Sequence, residues 1–145
     1  MKTYADTAFL VSVHCRDANT GRALARMKTQ LFPIAWTWLS ELEFRNAMRL
    51  RVFRGEMVDG EVAQVFDKVK IRTEQGIYRL AAPALSHVAR EAERLSELYT
   101  TGLGNRSLDI LHVSHALVLG VREFLTFDVR QGALAEAAGL KVPKL

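Results

Sequence analysis

Four carboxylates, Asp6, Glu43, Asp109 and Asp128, stand at places where acid chemistry could be assembled. Asp6 follows the strand-like run Thr3-Tyr4-Ala5 and precedes the apolar start of a helix, Ala8-Phe9-Leu10. Asp128 follows Glu123-Phe124-Leu125-Thr126-Phe127 in the same way. Parallel strands deliver their C-terminal ends to one rim of a sheet, where ligands bind, so these two carboxylates are expected to converge there. Glu41 lies four residues before Arg45 and suits a surface ion pair. Glu43 instead shares a helix face with Asn46, Ala47 and Leu50 and looks inward. Asp109 shares a face with His112, Val113 and Ala116 and also points to the apolar side.

Each acid also has a plain helix-capping explanation. Asp6 or Thr7 can cap the helix that follows. Ser40-x-x-Glu43 reads as a capping box, as does Asp128-x-x-Gln131. Asp109, just after Ser107, is favoured by the helix dipole alone. Capping does not exclude ion binding. Several carboxylates in one cleft cannot all stay ionised cheaply, so either some bind protons more tightly or a cation joins them. Oxygen donors without cysteine favour Mg²⁺ or Mn²⁺ over zinc.

Other reactive residues are weaker candidates. His112 and His115 are three apart on one helix, but no third nitrogen or sulfur ligand accompanies them, so packing or supporting roles are expected. Ser114 and His115 are adjacent and cannot face each other on a helix, which argues against a serine triad. Trp36 and Trp38 could stack nucleobases, although buried or interface anchoring is the commoner use. Arg45, Arg49, Arg51 and Arg54 form a basic stretch that reads as a solvated face, or as phosphate contacts if it rims the acidic cleft. Cys15 has no nucleophile context and reads as a packing residue.

The elements that must hold these groups alternate between strand and helix. Strands are expected at 3–6, 34–37, 77–80 and 123–127, with a short edge strand at 141–143. Helices are expected at 8–14, about 20–31, 40–54, from 59 to about 75, 84–99, 107–119 and 128–138. Thr101-Gly102-Leu103-Gly104-Asn105 reads as a loop. Leu85, Val88, Ala92, Leu95 and Tyr99 trace the buried side of one helix. Such alternation implies an α/β fold with a parallel sheet covered on both faces.

The 145 residues suit a single domain spanning 1–145, and 49% hydrophobic composition provides a packed core. No apolar run approaches the ~18 residues of a membrane span, so no membrane association is expected. The N-terminus lacks a secretory pattern, and a lone cysteine suits a reducing compartment, so a cytoplasmic location is expected. Twenty Lys and Arg against sixteen Asp and Glu leave a net charge of +4, compatible with a polyanionic partner.

Tyr4-Ala5-Asp6-Thr7-Ala8, Leu42-Glu43-Phe44-Arg45-Asn46-Ala47, Ser107-Leu108-Asp109-Ile110-Leu111-His112 and Leu125-Thr126-Phe127-Asp128, in that order, resemble the PIN-domain family. The likeness is strongest to the VapC-type toxin ribonucleases of bacterial toxin–antitoxin pairs, and it runs from residue 3 to about 143. It implies a three-layer α/β/α fold with strand order 3-2-1-4-5. It further implies that Asp6, Glu43, Asp109 and Asp128 hold Mg²⁺ or Mn²⁺, and Thr126 matches a frequent polar neighbour. Ala8 departs from the pattern, since many members carry a serine there.

The function expected on these grounds is metal-dependent hydrolysis of RNA phosphodiester bonds, with water as nucleophile and 5′-phosphate ends as product. The expected partners are an RNA substrate, a cognate antitoxin and a second copy in a homodimer. A non-catalytic RNA-binding or regulatory domain, with the acids acting only as caps, is the alternative. A phosphate-accepting receiver domain would need an aspartate after the third strand, and Ile77-Tyr78-Arg79-Leu80-Ala81-Ala82 has none.

Overall fold

Four three-residue strands, β1 (Thr3–Ala5), β2 (Ile34–Trp36), β3 (Tyr78–Leu80) and β4 (Glu123–Leu125), pair in parallel in the order β3-β2-β1-β4. They belong to a computed structural model that describes residues 2–145. The helices are α1 (Thr7–His14), α2 (Thr20–Lys28), α3 (Trp38–Phe53), α4 (Asp59–Glu74), α5 (Leu85–Leu95), α6 (Thr101–Leu103), α7 (Ser107–Val118) and α8 (Val129–Ala137).

Strand side chains alternate between faces, and this divides the core. Ala5, Ile34, Trp36 and Leu125 point to one side, where Phe9 and Leu10 of α1, Ala23 of α2, Phe44 and Met48 of α3, and Val62 and Val65 of α4 cover them. Tyr4, Ala35 and Phe124 point to the other, against Leu95 of α5, Ile110 and Val113 of α7, and Leu134 of α8. The result is the expected α/β/α arrangement, with β1 central. Among the described residues, no helix is long and apolar enough to cross a membrane.

Several local expectations need correction. The fifth strand is reduced to one bridge, Lys141 with Glu123, on the outer edge of β4. The order 3-2-1-4 therefore stands, and the fifth position is occupied without a full strand. Helix α3 begins at Trp38 rather than Ser40, because Thr37 is its N-cap and exchanges bonds with Ser40. The Ser40-x-x-Glu43 box does not form. The stretch expected as a loop at 101–105 instead continues the helix through a π turn (Ser96–Thr100) into α6. Gly104 then stops it with φ +66°. Leu85 is 66% exposed and not part of the buried stripe that Val88 and Leu95 continue.

Phe9 is fully buried and stacks on Phe127 with ring centroids 5.6 Å apart, which ties α1 to the segment after β4. Phe9→Ala is expected to cost about 3–5 kcal/mol in denaturant unfolding. Phe53→Ala, at a position 87% exposed, should change stability by less than about 0.5 kcal/mol. Equal losses at both positions would contradict this assignment of the core.

Candidate functional site

The rim forms where three strands hand over to helices, and each handover is capped by its own side chain. The Asp6 N–H still donates to the Leu125 carbonyl at 3.0 Å, so the β1–β4 ladder carries Asp6 right to the sheet edge. Asp6 then caps α1, its Oδ1 accepting from Phe9 N at 2.8 Å. Its Oδ2 accepts from the Thr126 hydroxyl at 2.5 Å. The same hydroxyl oxygen accepts from Asp128 N at 2.9 Å. Asp128 caps α8, its Oδ1 receiving Arg130 N at 2.8 Å and Gln131 N at 3.0 Å. One threonine thus joins the two strand-end acids, and the sequence-level convergence of Asp6 with Asp128 is realised.

Asp6 is only 3% exposed, and no basic side chain forms an ion pair with it among the described residues. Burial pushes its carboxyl up to about 6; the Thr126 and Phe9 bonds and nearby His112 oppose the rise, and the Asp128 charge adds to it.

Glu43 reaches the rim from α3 and is held from two sides. Its Oε2 accepts from the Thr7 hydroxyl at 2.7 Å and is in hydrogen-bond contact with His112 Nε2. His112 Nδ1 lies 2.8 Å from the hydroxyl of fully buried Tyr4. Burial would raise the Glu43 carboxyl, but the His112 bond and charge and the Thr7 bond outweigh it and leave it below the usual range.

Asp109 is placed differently. Its Oδ2 accepts from Arg106 N at 3.2 Å, closing the first turn of α7, and its side chain bonds to none of the other three acids. Its carbonyl receives Gln131 Nε2 at 3.5 Å, which sets it beside the start of α8. Asp6, Asp109 and Asp128 therefore all cap helices, while Glu43 does not. Among the described residues, no three His, Cys, Asp or Glu side chains form a closed metal cage.

The basic stretch does not rim this cleft. Arg45 pairs with Glu41, as its spacing suggests, and lies 4.5 Å over the Phe66 ring of α4. Arg49 approaches the same ring, and Arg51 faces Glu56 at 4.0 Å. Arg106, at the start of α7, and Arg130, in α8, lie next to the acids along the chain, their N–H groups bonding Asp109 and Asp128, and both residues are exposed. Asn105 Nδ2 bonds the Arg130 carbonyl at 3.2 Å and links the two turns.

Trp36 is a buried anchor whose Nε1 donates to Glu41 Oε2 at 2.6 Å. Trp38 is 47% exposed and rests edge-on against His115. His115 donates from Nδ1 to the Leu111 carbonyl at 2.7 Å, and both ring nitrogens of His112 are taken by Tyr4 and Glu43, so the two histidines form no ligand pair. Two contributors were not legible as site residues: Tyr4 reads as core within an apolar strand, and Thr7 reads as a cap.

No protein-family profile matches the chain, and no curated protein matches it by sequence. Solved structures do. VapC20 of Mycobacterium tuberculosis, a toxin that cleaves the sarcin–ricin loop, superposes with TM-score 0.69 at 15% identity over 97% of both chains. VapBC2 of Rickettsia felis, bound to a DNA fragment from its promoter, gives 0.67 at 16% identity over 99% of this chain and 98% of that one. FitAcB of Neisseria gonorrhoeae gives 0.67 at 17% identity over 97% and 95%. At these identities the fold is what is shared, and it is the fold that the motif resemblance implied.

The Asp6 environment predicts a pH signature. An aspartate in an unfolded chain ionises near 4, and Asp6 in the folded protein at about 6. Between these values the native state binds more protons, so this group's contribution to stability falls as pH rises from about 4 to about 6 and stays lower above. Asp6→Asn, measured in EDTA, should therefore gain stability relative to the unsubstituted protein across that window, by up to about 3 kcal/mol. A stability difference that stays flat from pH 4 to 7 would show that the carboxyl is unperturbed.

Proposed function

We propose that this chain, which shares its fold with VapC20, VapBC2 and FitAcB, is a metal-dependent endoribonuclease acting as the toxin of a toxin–antitoxin pair. The observation that carries the reading is the pair of strand-end carboxylates joined through Thr126, one of them buried without an ion-pair partner among the described residues. The donor set fits a hydrated divalent ion. Mg²⁺ keeps several waters and binds through one or two carboxylates, so the lack of a closed protein cage among the described residues is no obstacle. Asp6 and Asp128 would hold Mg²⁺ or Mn²⁺ directly, with Glu43 and Asp109 acting through water or orienting the nucleophile. When bound, the ion supplies charge stabilisation at the phosphate and makes water a better nucleophile at neutral pH.

The protein's own groups supply the rest. Asp6 is oriented by both of its hydrogen bonds, and Asp128 keeps an oxygen free of protein bonds beside it. Exposed Arg106 and Arg130, whose backbones hold Asp109 and Asp128, suit phosphate contacts that position the RNA without reading its sequence. A cognate antitoxin would inhibit by presenting a basic or apolar segment to this cleft. A homodimer is supported by the open apolar groove that Trp38, Leu80, Ala81 and Ala82 line beside the rim.

A second reading has a specific observation behind it: three of the four acids are helix caps. They could be only that, in an RNA-binding domain with no catalysis. Mg²⁺ or Mn²⁺ would then leave both the melting temperature and RNA integrity unchanged.

Asp6→Asn and Asp128→Asn are expected to lower RNA cleavage by more than about a hundredfold while the protein stays folded. Glu41→Gln, whose carboxylate serves Arg45 and Trp36, should remain active. EDTA should stop cleavage and Mn²⁺ restore it. An inactive Glu41→Gln beside a fully active Glu43→Gln would refute the assignment on α3.

A further inference from the structure

The proposed site explains why acids gather at the rim but not why a tyrosine and a histidine are buried behind one of them. Tyr4 is fully buried on the central strand, and His112 is 3% exposed on α7. Their bond of 2.8 Å joins residues 108 positions apart, and His112 then reaches Glu43 on α3. A Phe and a Leu would fill such interior positions without polar atoms to satisfy, so the polar pair is not required for packing. The chain Tyr4–His112–Glu43 ends on the one acid that caps no helix and has no backbone N–H to fix it.

The direction of the hydrogen bonds follows from the partners. An ionised carboxylate only accepts, so the proton between His112 and Glu43 belongs to Nε2. The Thr37 and Ser40 hydroxyls lie beside the Tyr4 oxygen, and burial keeps that phenol protonated. Those two hydroxyls bond each other, which leaves one of their protons for the Tyr4 oxygen and the Tyr4 proton for Nδ1. Thr7 supplies the second donor to Glu43 Oε2, so this oxygen holds two bonds while Oε1 makes none within the described protein.

We infer that Tyr4 and His112 are positioning residues for Glu43: the Tyr4 hydroxyl, bonded at Nδ1, fixes the orientation of the His112 ring, and the Nε2–H, with the Thr7 hydroxyl, clamps Oε2 and leaves Oε1 as the free oxygen. The inference rests on the proposed reading of the rim, where a carboxylate of fixed orientation serves as acceptor for a water molecule. Histidine in this place is therefore neither a metal ligand nor an acid or base toward RNA. It acts through Glu43, as an orienting partner acts behind a ligating group.

Two measurements on the full-length protein test it. Long-range ¹H–¹⁵N correlation spectra of histidine-labelled protein, without metal or RNA, report the tautomer of His112, assigned by its absence in His112→Leu. A protonated Nε2 and a hydrogen-bonded Nδ1 are expected, and Tyr4→Phe, which removes only the hydroxyl, should shift the Nδ1 resonance while Nε2 stays protonated. An Nε2 without a proton, or an Nδ1 resonance unchanged in Tyr4→Phe, would overturn the inference. In RNA cleavage, His112→Leu should lower kcat by about 10–100-fold with little change in KM, and without a parallel loss of melting temperature. His112→Gln, whose amide can donate where Nε2 did, should recover most of that loss. Equal activity of His112→Leu and the unsubstituted protein would overturn the positioning role while leaving the nuclease reading intact. If the unsubstituted protein cut no RNA, the nuclease reading would fail, and the tautomer spectra would still decide the hydrogen-bond chain.

Discussion

A carboxylate buried at the seam between two parallel strands is the constraint from which the rest of this rim follows. Asp6 cannot retreat to solvent, because the β1–β4 ladder holds its backbone against Leu125. Its charge must therefore be met where it stands. The Phe9 N–H and the Thr126 hydroxyl meet it in part, and the raised proton affinity measures what is left over. A divalent cation is the partner that would complete this balance, because no Lys or Arg among the described residues pairs with Asp6. Thr126 matters because it does two jobs with one oxygen, donating to Asp6 and accepting from the turn that presents Asp128.

The start of a helix lies beside each acid of this rim except Glu43. The N-termini of α1, α7 and α8 are capped by Asp6, Asp109 and Asp128, and these positive dipole ends favour the ionised carboxylates and an anionic substrate alike. For these three acids a capping role leaves ion binding open, as the sequence reading holds. Capping consumes some oxygens and fixes the orientation of the others. Glu43 lacks this device, and the buried Tyr4–His112 chain stands in its place.

How much of this was legible depended on whether the information was local. The strand-to-helix switches at Asp6 and Asp128 are written in adjacent residues, and the parallel topology made their convergence follow. The Glu41–Arg45 pair is likewise a matter of four residues on one helix. Errors arose where two local solutions compete: Thr37 took the cap that Ser40 could have taken, and a π turn carried the helix over Thr101. Tyr4 and Thr7 gave no signal of their site role, because their partners lie on α3 and α7, far off in sequence. The arginines of α3 keep to the solvated face that is the default reading of their run. Phe66 on α4, not the cleft, attracts Arg45 and Arg49, and nothing in the α3 sequence announces that neighbour.

The central claim is that the carboxylate rim directs water at phosphorus and that histidine has no acid or base role toward the ribose. The ends of cut RNA decide this most directly, with a substrate carrying a single 2′-deoxy sugar at the cleavage position as its companion. The account predicts 5′-phosphate and 3′-hydroxyl ends and continued cutting of the deoxy substrate, reduced only as far as recognition uses the missing hydroxyl. A 2′,3′-cyclic phosphate product, with no cutting of the deoxy substrate and undiminished activity in EDTA, would contradict it and return the four acids to structural duty.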